Sequence, residues 1–67
     1  MTGYIWMFNQ PKGWGFVKDG EGREWFFHIS NTKFVPVLGA RVEFELAAPL
    51  KLGQKEQAIN VRLEGAL

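Results

Sequence analysis

Two short stretches hold most of the residues that could do chemistry: Lys12-Gly13-Trp14-Gly15-Phe16-Val17 and Trp25-Phe26-Phe27-His28-Ile29. Each reads as a β-strand with flat rings at alternate positions, so the rings of one strand share a face. In the first, Lys12, Trp14, Phe16 and Lys18 point one way and Val17 the other. In the second, Phe26 and His28 share a face. A face of aromatics edged by lysines makes a poor core. It makes a good platform for unpaired nucleotide bases, because every base has a π-face and every linkage a negative charge.

Other chemistries fit these residues less well. His28 could ligate a metal, but the chain has one histidine and no cysteine, so further ligands of the usual kind are lacking. No metal or cofactor is therefore expected. Glu43 and Glu45 alternate outward on a strand pattern and read as solvated charges, not as a catalytic carboxylate pair. Gly13 and Gly15 lack the spacing and the following helix of a phosphate-cradling loop. They read instead as positions that leave the strand open to close approach. Nothing in the chain suggests an enzyme.

Composition bears on the same question. The chain has 67 residues, read as one domain over 1–67. A domain of that size buries only roughly 60% of the surface its unfolded chain exposes. Three tryptophans, six phenylalanines and one tyrosine are more rings than so small a core can hold beside its aliphatic residues. Some must be exposed, and an exposed cluster marks a binding surface. The net charge is only +1. Electrostatics alone therefore does not argue for nucleic acid, and affinity would lean on stacking more than on counterion release. No apolar run is long enough to span a bilayer. Met1-Thr2-Gly3 lacks the start of a signal peptide. The expected location is the cytoplasm.

The elements that must position these residues are strands throughout. Strand patterns cover Tyr4–Phe8, Trp14–Lys18, Arg23–Ile29, Ala40–Leu46 and Gln57–Leu63. Alternation puts Tyr4, Trp6 and Phe8 on one face of the first strand, with Ile5 and Met7 opposite. Asn9-Gln10-Pro11-Lys12-Gly13 turns the chain, and Asp19-Gly20 reads as a tight primed hairpin turn. Ser30 to Leu38 reads as a loop, as does Pro49 to Lys55. In the fourth strand Val42, Phe44 and Leu46 face inward. In the last, Ile59, Val61 and Leu63 share a face. Five short strands with hairpins first and a long connection in the middle predict an all-β, nearly closed barrel, which removes exposed edges.

Taken in order, these segments resemble the cold shock domain family. Lys12-Gly13-Trp14-Gly15-Phe16-Val17 is similar to its first ribonucleoprotein-type motif, with Trp14 where the family has Phe. Trp25-Phe26-Phe27-His28-Ile29-Ser30 is similar to the second, where the family reads Val-Phe-Val-His-Phe-Ser. Gly39-Ala40-Arg41-Val42-Glu43-Phe44 and Ala58-Ile59-Asn60-Val61 resemble its fourth and closing strands. The resemblance runs from Gly3 to Leu63 and implies a five-stranded antiparallel OB-fold barrel that binds single-stranded DNA and RNA. Departures accompany it. Trp6-Met7-Phe8-Asn9 stands where the family has Lys-Trp-Phe-Asn, so Met7 takes the place of a tryptophan. Trp25 and Phe27 replace small valines, which would overpack an unchanged core unless Trp25 sits at a barrel end. The loop between Ser30 and Gly39 is shorter than in the family.

The function expected from residues and resemblance together is low-specificity binding of single-stranded RNA or DNA. Trp14, Phe16, Phe26 and His28 would stack on bases, extended by Trp6, Phe8 and Phe34. Lys12, Lys18 and Lys55 would meet phosphates. The resemblance further implies a nucleic-acid chaperone. Met7 and Trp25 read as core. The competing reading is a protein-interaction module using the same aromatic face. The expected state is a monomer, with a domain-swapped dimer as its rival, because a shortened connecting loop favours exchange of strands.

Overall fold

The computed structural model describes residues 1–48 and 56–65. Five strands are present: β1 Thr2–Asn9, β2 Trp14–Lys18, β3 Glu24–His28, β4 Arg41–Ala47 and β5 Gln57–Leu63. They close into a barrel in the order β1-β2-β3-β5-β4. All seams are antiparallel except β3–β5, which is parallel and registered through Phe26 and Gln57. The all-β barrel follows the sequence reading, with that one parallel seam added. Among the described residues no helix is long and apolar enough to cross a membrane.

Two irregularities decide which side chains face inward. In β1, Ile5 pairs with Val17 and Met7 with Phe16, so Trp6 is an extra residue without a partner on β2. Such a bulge reverses the phase of the strand beyond it. Ile5 is inward, but so is Phe8, whose ring stacks on the buried Phe27 with centroids 6.0 Å apart. The single alternation read from Tyr4 to Phe8 is therefore corrected. In β5, Arg62 pairs with Glu43 and Ile59 with Glu45, which leaves one extra residue on β5. Asn60 adopts φ 50° there, a left-handed conformation asparagine tolerates better than most side chains. Ala58 and Val61 consequently both point into the core. Ile59 falls outside their face, contrary to the sequence expectation.

The core consists of Ile5, Val17, Phe27, Val42, Phe44, Ala58 and Val61, all fully buried. Phe8, Trp25, Phe34, Ala40 and Leu46 pack around it. Burying each large member contributes about 1.5–3 kcal/mol. The predicted overpacking at the two replaced valines is relieved by a glycine and by position. Phe27 lies directly across the β2–β3 ladder from Gly15, and its ring occupies the space a side chain there would need. Gly15 thus serves the interior, not an approach from outside. Trp25 is half-buried, tilted against Phe44 at 5.6 Å, with the Arg23 guanidinium over its ring at 5.5 Å.

The β2–β3 hairpin is not the two-residue turn that Asp19-Gly20 suggested. It is a longer loop in which Gly22 N–H donates to the Asp19 carbonyl and Gly22 takes φ 82°. The Asp19 side chain organises it. Its carboxylate accepts from the backbone N–H of Glu21 and Arg23 and from Arg23 Nε at 2.8 Å. Burial pushes this carboxyl up, but the hydrogen bonds from Arg23 and Glu21, with the Arg23 charge, outweigh it. They hold Asp19 below the usual aspartate range. After β3 the chain makes one 3₁₀ turn over Ile29–Asn31, across the end of the third strand pattern and the start of the segment read as loop.

Candidate nucleic-acid interface

Strands β1, β2 and β3 present their outward side chains as three rows. Paired residues of an antiparallel ladder share a face, so the register names each row. Met7, Phe16 and Phe26 form one row; Asn9, Trp14 and His28 the next; Tyr4, Lys18 and Glu24 the third.

Three rings make a single cluster at the middle of this face. Trp14 stacks beside Phe26 at 6.0 Å with an interplanar angle of 27°. Phe16 stands edge-on to both, 5.9 Å from Trp14 and 6.0 Å from Phe26. All three are half-buried and lie outside the core cluster. Their mutual contacts fix their orientation, so the exposed π-faces are preorganised and need little ordering when a ligand arrives.

His28 borders the cluster opposite Trp14 and is exposed. Its Nδ1 accepts from the Ser30 backbone N–H at 3.1 Å, capping the 3₁₀ turn, and lies 2.9 Å from Ser30 Oγ. An accepting Nδ1 places the ring proton on Nε2, which is left as a donor. The Ile29 N–H donates to the Gly13 carbonyl at 2.8 Å and ties this turn to the β1–β2 turn.

The remaining sequence candidates fall in different places. Trp6 is on the outer side, 41% exposed, with Lys18 Nζ 4.5 Å from its ring centroid. Lys18 also pairs with Glu24 Oε1 at 3.6 Å. Lys12 is exposed in the β1–β2 turn, where its backbone N–H donates to Asn9 Oδ1. Phe8 and Phe34 are not brought to the outer face. The bulge turns Phe8 inward, and Phe34 packs against the core from the loop after the 3₁₀ turn. Lys55 lies outside the described residues. Met7, read as core, instead stands outward opposite Phe16. Alternation could not find it, because the bulge is invisible to alternation. The signal was its alignment with the family's tryptophan.

Residues 1–64 match the family model described as the 'Cold-shock' DNA-binding domain. The chain is 33% identical over 66 residues to Cold shock domain-containing protein CG9705 of Drosophila melanogaster, covering 94% of this chain and 46% of that protein. It thus spans about half the length of that curated relative.

Proposed function

Because this chain belongs to the cold-shock DNA-binding domain family, a family of nucleic-acid binders, we propose that the outer face of β1–β3 binds single-stranded RNA or DNA with little sequence preference. The observation that carries this reading is the cluster of Trp14, Phe16 and Phe26, three rings in mutual contact that the core does not use. Bases stack on these rings and on His28, each stack contributing about 1–3 kcal/mol. Met7 provides an apolar shoulder beside Phe16. Lys12 and Lys18 meet phosphates. Stacking on π-faces does not discriminate strongly among bases, which suits a protein that holds many strands unpaired, as an RNA chaperone does. The protein acts as a monomer in this reading, with the five described strands closed into one barrel.

A protein interface on the same face is the rival. Interfaces of that kind deplete lysine around their aromatic centre, whereas Lys12 and Lys18 sit at this one. Titration with a thymine-rich oligonucleotide decides between them. Tryptophan fluorescence should be strongly quenched, and the apparent affinity should weaken with salt. An unchanged spectrum at high micromolar strand overturns the proposal.

A further inference from the structure

The outer face has a second aromatic unit, set apart from the three-ring cluster. Trp6 is the extra residue of the β1 bulge, and its indole is covered by a charge. Lys18 Nζ stands 4.5 Å from the ring centroid and 3.6 Å from Glu24 Oε1. The ammonium is thus held between a π-face and a carboxylate. Neither partner is deep: the Lys18 side chain is 28% exposed and Glu24 42%. At such exposure both a cation–π contact and an ion pair are weak.

A nucleotide offers replacements for both contacts at once. Its phosphate can take the ammonium, and its base can take the indole face the ammonium leaves. We propose that Lys18 is a latch over Trp6, held closed by Glu24 in the free protein and opened by a nucleotide that reaches beyond the three-ring cluster. This inference rests on the binding reading above and sets the length of the site. A short strand fills Trp14, Phe16 and Phe26 and leaves the latch shut. A longer strand recruits Trp6. The exchange keeps the Lys18 ammonium compensated, because the phosphate substitutes for Glu24, and it releases the Glu24 carboxylate to solvent, which its 42% exposure allows.

Proton resonances of the intact chain test the latch. The Lys18 ammonium lies over the indole, so the adjoining ε-methylene protons should be shifted upfield by its ring current in the free protein. The probes are oligothymidylates of about three and about seven nucleotides, one below and one within the ~4–16 nucleotides an OB fold covers. Both should move the Trp14 and Phe26 signals. Only the longer should return the Lys18 ε-protons downfield and shift the Trp6 indole N–H. Glu24→Gln should loosen the latch in the free protein and tighten binding of the longer strand about two- to five-fold, leaving the shorter unchanged. If the longer strand moves Trp14 and Phe26 while the Lys18 ε-protons stay upfield, the latch fails and the binding reading stands. Equal gains for both strands in Glu24→Gln also overturn it, since Glu24 would then merely repel phosphate. If neither strand moves Trp14 or Phe26, the binding reading fails and the latch with it.

Discussion

A Cβ on Gly15 would stand 2.9 Å from Cε1 of Phe27. The same atom would press still closer on the Met7 carbonyl oxygen, which is backbone and cannot swing away. The glycine and the ring therefore form one packing unit across the β2–β3 ladder. Gly15→Ala should destabilise the barrel by about 1–3 kcal/mol, the usual cost of overpacking. For a domain this small each kcal/mol lowers Tm by about 4–8 °C. Thermal unfolding followed by circular dichroism measures it. Measured against Phe27→Val alone, the cost of Gly15→Ala should be only partly recovered, because the Met7 carbonyl still blocks the new methyl. Full recovery would show that the ring alone sets the limit.

Phe8 and Trp14 should separate stability from binding. Phe8→Ala removes the ring stacked on Phe27 and should cost about 2–3 kcal/mol, toward the lower end for a core phenylalanine because the ring is only half-buried. Oligonucleotide affinity of the folded fraction should be unchanged. Trp14→Ala should do the reverse, weakening binding about 5- to 150-fold for a loss of ~1–3 kcal/mol while the urea midpoint hardly moves. Loss of affinity in a fully folded Phe8→Ala would put that ring back on the platform.

Trp14 and Phe26 lie against each other, so their contributions to binding should couple. Removing either frees the other to move. The double alanine variant should lose less affinity than the sum of the two single losses, by about 0.5–1.5 kcal/mol. Strict additivity in a double-mutant cycle would mean the rings act as separate stacking sites.

Asp19 should give the protein an acid-sensitive turn. Its carboxyl is held below its ordinary value in the folded state, so the folded form binds this proton more weakly than the unfolded chain does. The resulting stability is complete above the unfolded aspartate value of about 3.9 and is lost as pH falls through the lower folded value. In Asp19→Asn this component is gone. Urea midpoints of wild type and variant should differ at neutral pH and converge as pH falls below the unfolded value of about 3.9. A constant difference across that range would assign the effect to the neutral hydrogen bonds alone.

Most of the architecture could be read from alternation and turn residues, because Val17, Val42 and Phe44 follow a period of two without interruption. Reading fails where an extra residue enters a strand. Trp6 and Asn60 each add one, and the sequence around them still alternates plausibly in the wrong phase. Alternation therefore puts Phe8 on the face it does not occupy and turns Met7 inward. The three rings of the platform were legible because β2 and β3 are regular along their whole pairing. Their mutual contacts were not, since edge and stacked geometries depend on rotamers that spacing does not fix. The tie between Lys18 and Trp6 is also hidden, because alternation puts both on one face without fixing which side chains meet.

The pairs that flank Trp6, Ile5 with Val17 and Met7 with Phe16, use consecutive residues of β2. Excising Trp6 would therefore leave a continuous ladder, with Ile5 and Met7 as neighbours and every inward ring in place. Single-residue deletions inside strands ordinarily turn half the strand inside out. Trp6 is exempt from that rule, so β1 can shorten by one residue without the barrel having to be rebuilt.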